Sequence, residues 1–407
     1  MSEEKGGRGV ADGGGTASGG AAGGSTGVPE AAVPRITLGH GAGGRLTHAL
    51  VRDLFAARLG NPLLSPLGDA ALCPEPGGRI ALTTDSFVVD PLFFPGGDIG
   101  SLAVNGTVND LAVAGARPLW LTLGAILEEG LPLADLERIV DSLAAAARVA
   151  GVAIVAGDTK VVERGKGDGA FLNTAGVGVL RDGYPRADRG PAPGDAVLVS
   201  GPLGDHGAVI VARRRGLDLQ VDLASDCAPV TPLVDALFAA GVAPLFMRDP
   251  TRGGLAGVLA DLAEMGAAGG GAASAAGAAG SVEMAGGMAG NAAAVAGPGG
   301  AASAQPRPFG VHVDEAAVPL RPAVAALGAI TGIDPWHLAC EGRVVAVVAA
   351  ADAERALAAW RAAPGGEAAA RIGELTAARP GQAVVATPYG GARLLLRPTA
   401  ELLPRIC

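Results

Sequence analysis

The 407-residue chain contains no Walker A pattern and no G-x-G-x-x-G after a strand-like run, so ordinary P-loop and Rossmann nucleotide sites lose ground. Cysteine is scarce. Cys73, Cys227, Cys340 and Cys407 lie far apart with no C-x-x-C spacing, which argues against a zinc site or a disulfide framework and fits a reducing cytoplasm. Positive charge is not in excess: the net charge of -9 disfavours a nucleic-acid surface, and the one tight basic run, Arg213-Arg214-Arg215, reads as a solvated helix end. The first residues show neither the basic start nor the apolar block of a secretory signal. The weakly charged stretch at 266–306 contains no Leu, Ile or Phe, so it does not read as a membrane span.

Glycine, by contrast, is in surplus, with 66 residues, and much of the surplus falls in two stretches. Residues 1–33 read as a flexible tail, and 266–306, almost wholly Ala and Gly with Glu283 as the only charged side chain, as a disordered insertion. The remainder is long enough for two domains that each bury a core. Pro191, Pro193 and Gly194 interrupt helix and strand patterns together and mark a boundary, giving domains at 34–190 and 191–390 and a Cys-terminated tether at 391–407. Cys73, Cys227 and Cys340 read as small buried apolar residues.

Apolar runs alternate with helix-length periodic segments, which predicts a mixed α/β (α+β) fold. Residues 80–84 read as a strand delivering Asp85 and Ser86 at its end, and 99–114 and 133–150 as helices. In the second helix Leu136, Ile139, Val140 and Leu143 mark one buried face. Residues 152–155 read as a strand emptying into Gly157-Asp158-Thr159-Lys160, and a further strand is expected near 171–179. In the second half, strands are expected at 196–200, 311–313 and 344–348, with helices covering 235–240 and 254–264.

Asp69, Asp85, Asp110 and Asp158 recur beside glycine or at the ends of apolar runs, where aspartate is a poor strand former. Four such carboxylates in one domain suit magnesium and the phosphates it neutralises better than four unrelated turns. Asn105 and Asn109 share a helix face with Asp110 adjacent. Three glycine loops, His40-Gly41-Ala42-Gly43-Gly44-Arg45, Gly201 to Gly207 with Asp205 and His206, and Asp249-Pro250-Thr251-Arg252-Gly253-Gly254, allow backbone N–H groups to approach phosphate oxygens.

Taken in order, these segments resemble the HypE family of hydrogenase maturation factors, within the aminoimidazole-ribonucleotide-synthetase-like (PurM-like) superfamily. The resemblance runs from Ile36 to Cys407 outside the Ala/Gly insertion. Besides the loops above it is carried by the stretch from Thr84 through Asp85-Ser86-Phe87 to Gly97, Asn109-Asp110, Ile126 to Pro132, Gly157-Asp158-Thr159-Lys160, Glu341-Gly342 and the ending Pro404-Arg405-Ile406-Cys407. Departures are small: Pro250 replaces a small residue and Arg343 stands where lysine is common.

The resemblance implies an ATP-dependent dehydration of a carbamoyl group on Cys407 to a thiocyanate, whose cyanide goes to the iron of nickel–iron hydrogenase. It implies Cys407 as the reacting thiol, Lys160 and Glu341 beside it, and His206 at phosphate. It further implies nucleotide contacts from Gly41, Gly43, Gly44, Asp85, Asn109, Asp158, Thr159, Asp249, Arg252 and Gly253, and Mg2+ ligands among Asp69, Asp85, Asp110, Asp158 and Asp249. The partners it implies are the carbamoyltransferase HypF, the HypC–HypD complex and a second copy of the chain, with first domains pairing through their sheets. Arg405 is expected to favour the Cys407 thiolate slightly, on a tail that keeps the thiol accessible. Two alternatives stand beside this reading: another ATP-using enzyme of the superfamily, such as selenophosphate synthetase, and a non-catalytic carrier scaffold. The first is weakened because residues 40–45 carry no cysteine.

Overall fold

A computed structural model describes residues 33–185, 189–217, 222–267, 307–396 and 405–407. The expected N-terminal tail, apart from Val33, and nearly all of the Ala/Gly insertion lie outside the described residues. After a short helical stretch containing α1 (Arg45–Ala49), a π-helical segment and α2 (Ala57–Leu59), the first sheet begins. Its strands are β1 (Ile80–Phe87), β4 (Ala116–Glu128), β5 (Ala153–Val162) and β6 (Ala170–Leu180), in the order β1-β6-β4-β5. Between β1 and β4 come the two-residue strands β2 (Phe93–Phe94) and β3 (Gly97–Asp98) and the helix α3 (Ile99–Val113). The parallel pair β4 and β5 is joined through α4 (Leu133–Ala150), a crossover that lays the helix on one sheet face.

The α4 face expected from the sequence is the buried one, with Leu136, Ile139, Val140 and Leu143 all enclosed. Asp98 caps α3 by accepting from the N–H groups of Gly100 and Ser101, while Ser101 Oγ answers the Asp98 N–H at 3.0 Å. Nearly every residue of α3 is buried, because the helix is clasped between the first sheet and the second half of the chain. Its glycines permit the approach: a Cβ on Gly106 would stand 2.8 Å from the Phe87 ring.

The second half builds a seven-stranded sheet, with strands introduced in chain order as β7 (Ala196–Val199), β8 (Phe246–Arg248), β9 (Gly310–Asp314), β10 (Val345–Val348), β11 (Ala370–Thr376), β12 (Ala383–Ala386) and β13 (Ala392–Leu395). Their order in space is β13-β12-β9-β11-β7-β10-β8, antiparallel except for β12 beside β9. The helices are α5 (Asp205–Arg214), α6 (Thr231–Ala239), α7 (Gly254–Ala267), α8 (Pro322–Thr331) and α9 (Ala353–Arg361). β7 and β10 are buried at every residue, so both sheet faces are covered. One apolar cluster joins the halves: Ala112 and Val113 of α3 pack with Leu198, Leu233 and Trp360.

Several expectations change. Asp85 and Ser86 lie inside β1, and Gly157 to Lys160 lie inside β5, because strand pairing with β6 and β4 carries both strands past their apolar runs. The β4 strand, 13 residues long, is not anticipated. Gly266 and Ala267 complete α7 rather than opening the insertion, and residues 392–395 are a sheet strand rather than tether. Cys73 is exposed in an irregular segment, whereas Cys340 is buried. No described helix is long and apolar enough to cross a membrane.

Candidate active site

The last three residues are docked, not free. Val88 N–H donates to the Cys407 carbonyl at 3.2 Å and Asp90 N–H to the Arg405 carbonyl at 3.3 Å, so the terminus runs against the segment after β1. Ile406 is buried in the core around α3 and α5. Arg405 pairs with Asp168 at 2.8 Å and Asp90 at 3.4 Å, and Arg214 also holds the Arg405 carbonyl. His206 completes the grip: its Nε2 meets the Ile406 carbonyl at 2.7 Å and its Nδ1 the Ser225 hydroxyl at 2.8 Å. Burial lowers its pKa, which fits a neutral ring donating from Nε2 to the carbonyl and accepting at Nδ1. The phosphate role expected of His206 therefore gives way to holding the tail.

The charges that act on the half-buried Cys407 come from Glu341, Arg252 and Asp85. Its thiol is pushed up to about 12, first by burial and then by the Glu341 charge, with Arg252, hydrogen-bonded to the sulfur, opposing. The expectation of an accessible thiol activated by Arg405 does not hold in this docked arrangement, since Arg405 is turned to two aspartates. Glu341 is 1% exposed, and its Oε1 has no hydrogen-bond partner. Its pKa is raised well above the carboxylate range by burial, then by Asp249, Asp226, Asp85 and Asp110.

Two side chains fix this glutamate, of which Asp226 was missed in the sequence. Asp226 accepts from the N–H groups of His206, Glu341 and Gly342 at 3.2, 3.2 and 3.3 Å, tying the α5 start to the Glu341 loop. Gly342 is needed there, because a Cβ would collide with the Asp226 carbonyl. Asn109, expected at the nucleotide, is instead a peg between halves: its amide donates to the carbonyls of Ala228 and Glu341 at 3.1 and 3.0 Å and accepts from Val230 N–H at 2.8 Å. Asp226 sits in a run with no helical or strand period, so no sequence signal marked it.

Around this point the structure gathers Asp85 from β1, Asp110 from α3 and Asp249 after β8. Asp110 is raised to about 6, by burial first and Asp85 second, although Thr83 Oγ1 donates to it at 2.9 Å. Asp249 is raised to about 8, again by burial first and then Asp110. Asp85 is raised by burial, with Arg252 3.8 Å away working against it. Gly253 and Gly254 have φ of +76° and +57°, and a Cβ on Gly254 would meet the Leu338 carbonyl at 2.5 Å, so the Arg252 loop requires glycine to sit where it does. The carboxylates influence one another, yet among the described residues no three His, Cys, Asp or Glu form a ready metal cage.

The remaining expected residues lie elsewhere. Asp158 and Lys160 pair at 2.9 Å on exposed β5, and that hydrogen bond lowers the Asp158 pKa. Thr159 donates its N–H to Asp158. Gly41 packs on the same strand, where a Cβ would stand 2.6 Å from Val161 N, and Gly43 and Gly44 lead into α1. Asp69 stands in an exposed irregular segment.

Residues 67–180 match the N-terminal domain of AIR synthase related proteins, and residues 192–271 and 285–386 the corresponding C-terminal domain. The carbamoyl dehydratase HypE of Rhizobium leguminosarum bv. viciae is 44% identical over 374 residues, 92% of this chain and 95% of that protein. A crystal structure of hydrogenase maturation protein HypE in complex with ATP superposes with a TM-score of 0.77 at 43% identity, covering 91% of this chain and 99% of the other. The HypE–HypF complex gives a TM-score of 0.66 at 40% identity, covering 86% of this chain and 100% of that one. On this identity over nearly the full length, the chain belongs to the HypE carbamoyl dehydratase family.

Proposed function

We propose that this chain dehydrates a carboxamide carried on its own Cys407, using ATP, and so supplies cyanide for the iron centre of a nickel–iron hydrogenase. The observation that carries the proposal is the docked tail: the Ile406 carbonyl meets His206, and Asp226 accepts from the backbone N–H groups of both His206 and Glu341, which brings the half-buried Cys407 within range of the Glu341 charge and of Arg252. The γ-phosphoryl group of ATP passes to the carboxamide oxygen, the N–H protons leave, and the C–O bond breaks with phosphate as leaving group. Thus S-carboxamide and ATP give thiocyanate, ADP, phosphate and a proton, with no change of oxidation state. Glu341 takes a proton from nitrogen, and its raised pKa makes it a stronger base once ionised. Arg252 stands ready for developing negative charge on oxygen.

ATP as the co-substrate is supported by the ATP complex of the HypE protein. Mg2+ fits Asp85, Asp110 and Asp249, hard oxygen donors whose pKa values burial raises, helped at Asp110 and Asp249 by repulsion from a neighbouring aspartate that a cation would relieve; it would supply charge neutralisation at the phosphates. The HypE–HypF complex supports HypF as the carbamoyl donor, and the HypC–HypD complex is the proposed acceptor of cyanide. The cytoplasm is the proposed compartment, consistent with four free thiols.

A homodimer gives the second group of residues its place. Asp158 and Lys160 on β5 and Asp85 on β1 occupy opposite edges of the first sheet, three strand spacings or about 14 Å apart. The sheet face that carries the exposed Ile80, Leu82 and Ile126 suits pairing with a second copy. Such pairing is the route by which one copy's Lys160 would serve the other's Cys407.

Intact-protein mass tests the central claim. After carbamoyl loading, ATP should remove one water from the wild type and none from Glu341→Gln; a carbamoyl mass that survives ATP in the wild type would favour a carrier scaffold.

A further inference from the structure

Two buried oxygens beside the reacting thiol have no hydrogen-bond partner, and they belong to different halves of the chain. One is Oε1 of Glu341, and the other is Oδ1 of Asn105 on α3, a residue 4% exposed. The amide nitrogen of Asn105 donates to Cys227 Sγ at 3.5 Å, and this orients its oxygen away from the sulfur. Cys227 in turn adjoins Ala228, whose N–H donates to the Glu341 carbonyl at 3.3 Å, so Asn105 and Glu341 lie to either side of Cys227. The Glu341 charge acts on the Cys407 thiol as it does on Cys227.

Asn109, one turn further along the same helix, shows how unusual this is, since both ends of its amide are satisfied by backbone. An acceptor sealed from water without a donor costs about 1–3 kcal/mol, so two in one place call for a donor-rich partner. The neighbouring Asp226 spends its oxygens on the N–H groups of His206, Glu341 and Gly342, and a cysteine S–H is a weak donor. A primary carboxamide carries two N–H groups on one nitrogen.

Resting on the dehydration reading above, we infer that Asn105 Oδ1 and Glu341 Oε1 are the paired acceptors for the two N–H groups of the Cys407 carboxamide. Glu341 removes a proton; Asn105, an amide that takes none, orients the nitrogen so that one N–H faces Glu341. The pair also sets specificity. An S-acetyl group on Cys407 lacks N–H and leaves both oxygens unpaired, a mismatch that sites built for hydrogen bonding reject strongly.

The test uses full-length protein loaded with carbamoyl on Cys407, with single-turnover loss of water followed by mass at saturating ATP. Asn105→Leu removes the acceptor at similar volume and should slow dehydration at least about 10-fold with the KM for ATP unchanged. Asn105→Asp keeps an acceptor oxygen and should stay within a few-fold of the wild type. Wild-type dehydration by Asn105→Leu overturns the inference. So does an equal loss in both variants that tracks a common fall in Tm, which would assign Asn105 to packing. A wild type that loses no water would instead sink the dehydration reading itself, so the two failures are distinguishable.

Discussion

The two edges of the first sheet carry aspartates that look alike in the sequence and behave in opposite ways in the fold. Asp85 on β1 is covered by the second half of the chain, and burial raises its pKa; Asp158 on β5 stays open, and its hydrogen bond to Lys160 lowers its pKa. Both follow an apolar run in the sequence and both precede a hydroxylated residue. The difference comes from what packs near each aspartate: the charges of Arg252, Asp249 and Glu341 act around Asp85, whereas the glycine loop near Gly41 packs on β5 beside Asp158 and Lys160. One edge is thus a complete reaction environment, and the other is half of one.

The largest effect expected from this contrast is complementation. Glu341→Gln and Lys160→Ala should each abolish dehydration, while a mixture of the two, dissociated and reassociated, should recover about a quarter of wild-type activity. Half of the random dimers are mixed, and each has one site with both groups intact. Turnover of S-carboxamide measures it, and a mixture that stays dead would place both groups in one chain's site.

The covered edge should also protect the thiol. In a Cys73→Ser background, alkylation of Cys407 by iodoacetamide is expected to be slow, because the docked thiol is half-buried and protonated. Arg405→Ala removes partly exposed ion pairs with Asp90 and Asp168 worth up to about 1 kcal/mol, so labelling should speed up about 5-fold. An unchanged rate would mean that the tail is held by Ile406 and its backbone bonds alone.

The smallest effect concerns pH. Asp110 and Asp249 have folded pKa values of about 6 and about 8 against an ordinary value near 3.8, so the native state binds more protons than the unfolded one. Their contribution is fully present below about pH 4 and is lost as pH rises through about 6 and then about 8. In nucleotide-free protein without divalent cation, Tm should therefore fall by a few degrees between about pH 5.5 and 8.5. Asp249→Asn should flatten the upper part of that fall, whereas Asp158→Asn should leave it unchanged; equal behaviour of the two variants would contradict the difference between the edges.

Helices α3 and α4 were legible almost to the residue, and in α4 the apolar spacing that marks the buried face is local. The extended reach of β1 and β5 was not, because Asp85 and Asp158 are poor strand residues held in place by pairing with β6 and β4. Cys407, Glu341, Asp85, Asp110, Asp249 and Arg252 were named from motifs and do converge. His206 was named for the wrong contact, and Asn109 proved to be a peg.

Composition and spacing by themselves settled which chemistry is present: carboxylates at strand ends, glycine loops and a terminal thiol are local choices written directly in the chain. Which of these groups meet was decided by tertiary structure alone. The decisive contacts, Asn109 to Glu341, His206 to Ile406 and Arg252 to Asp85, join residues far apart in sequence. Burial by those contacts, a property of the whole packing, separates a carboxyl raised to about 8 at Asp249 from one lowered at Asp158.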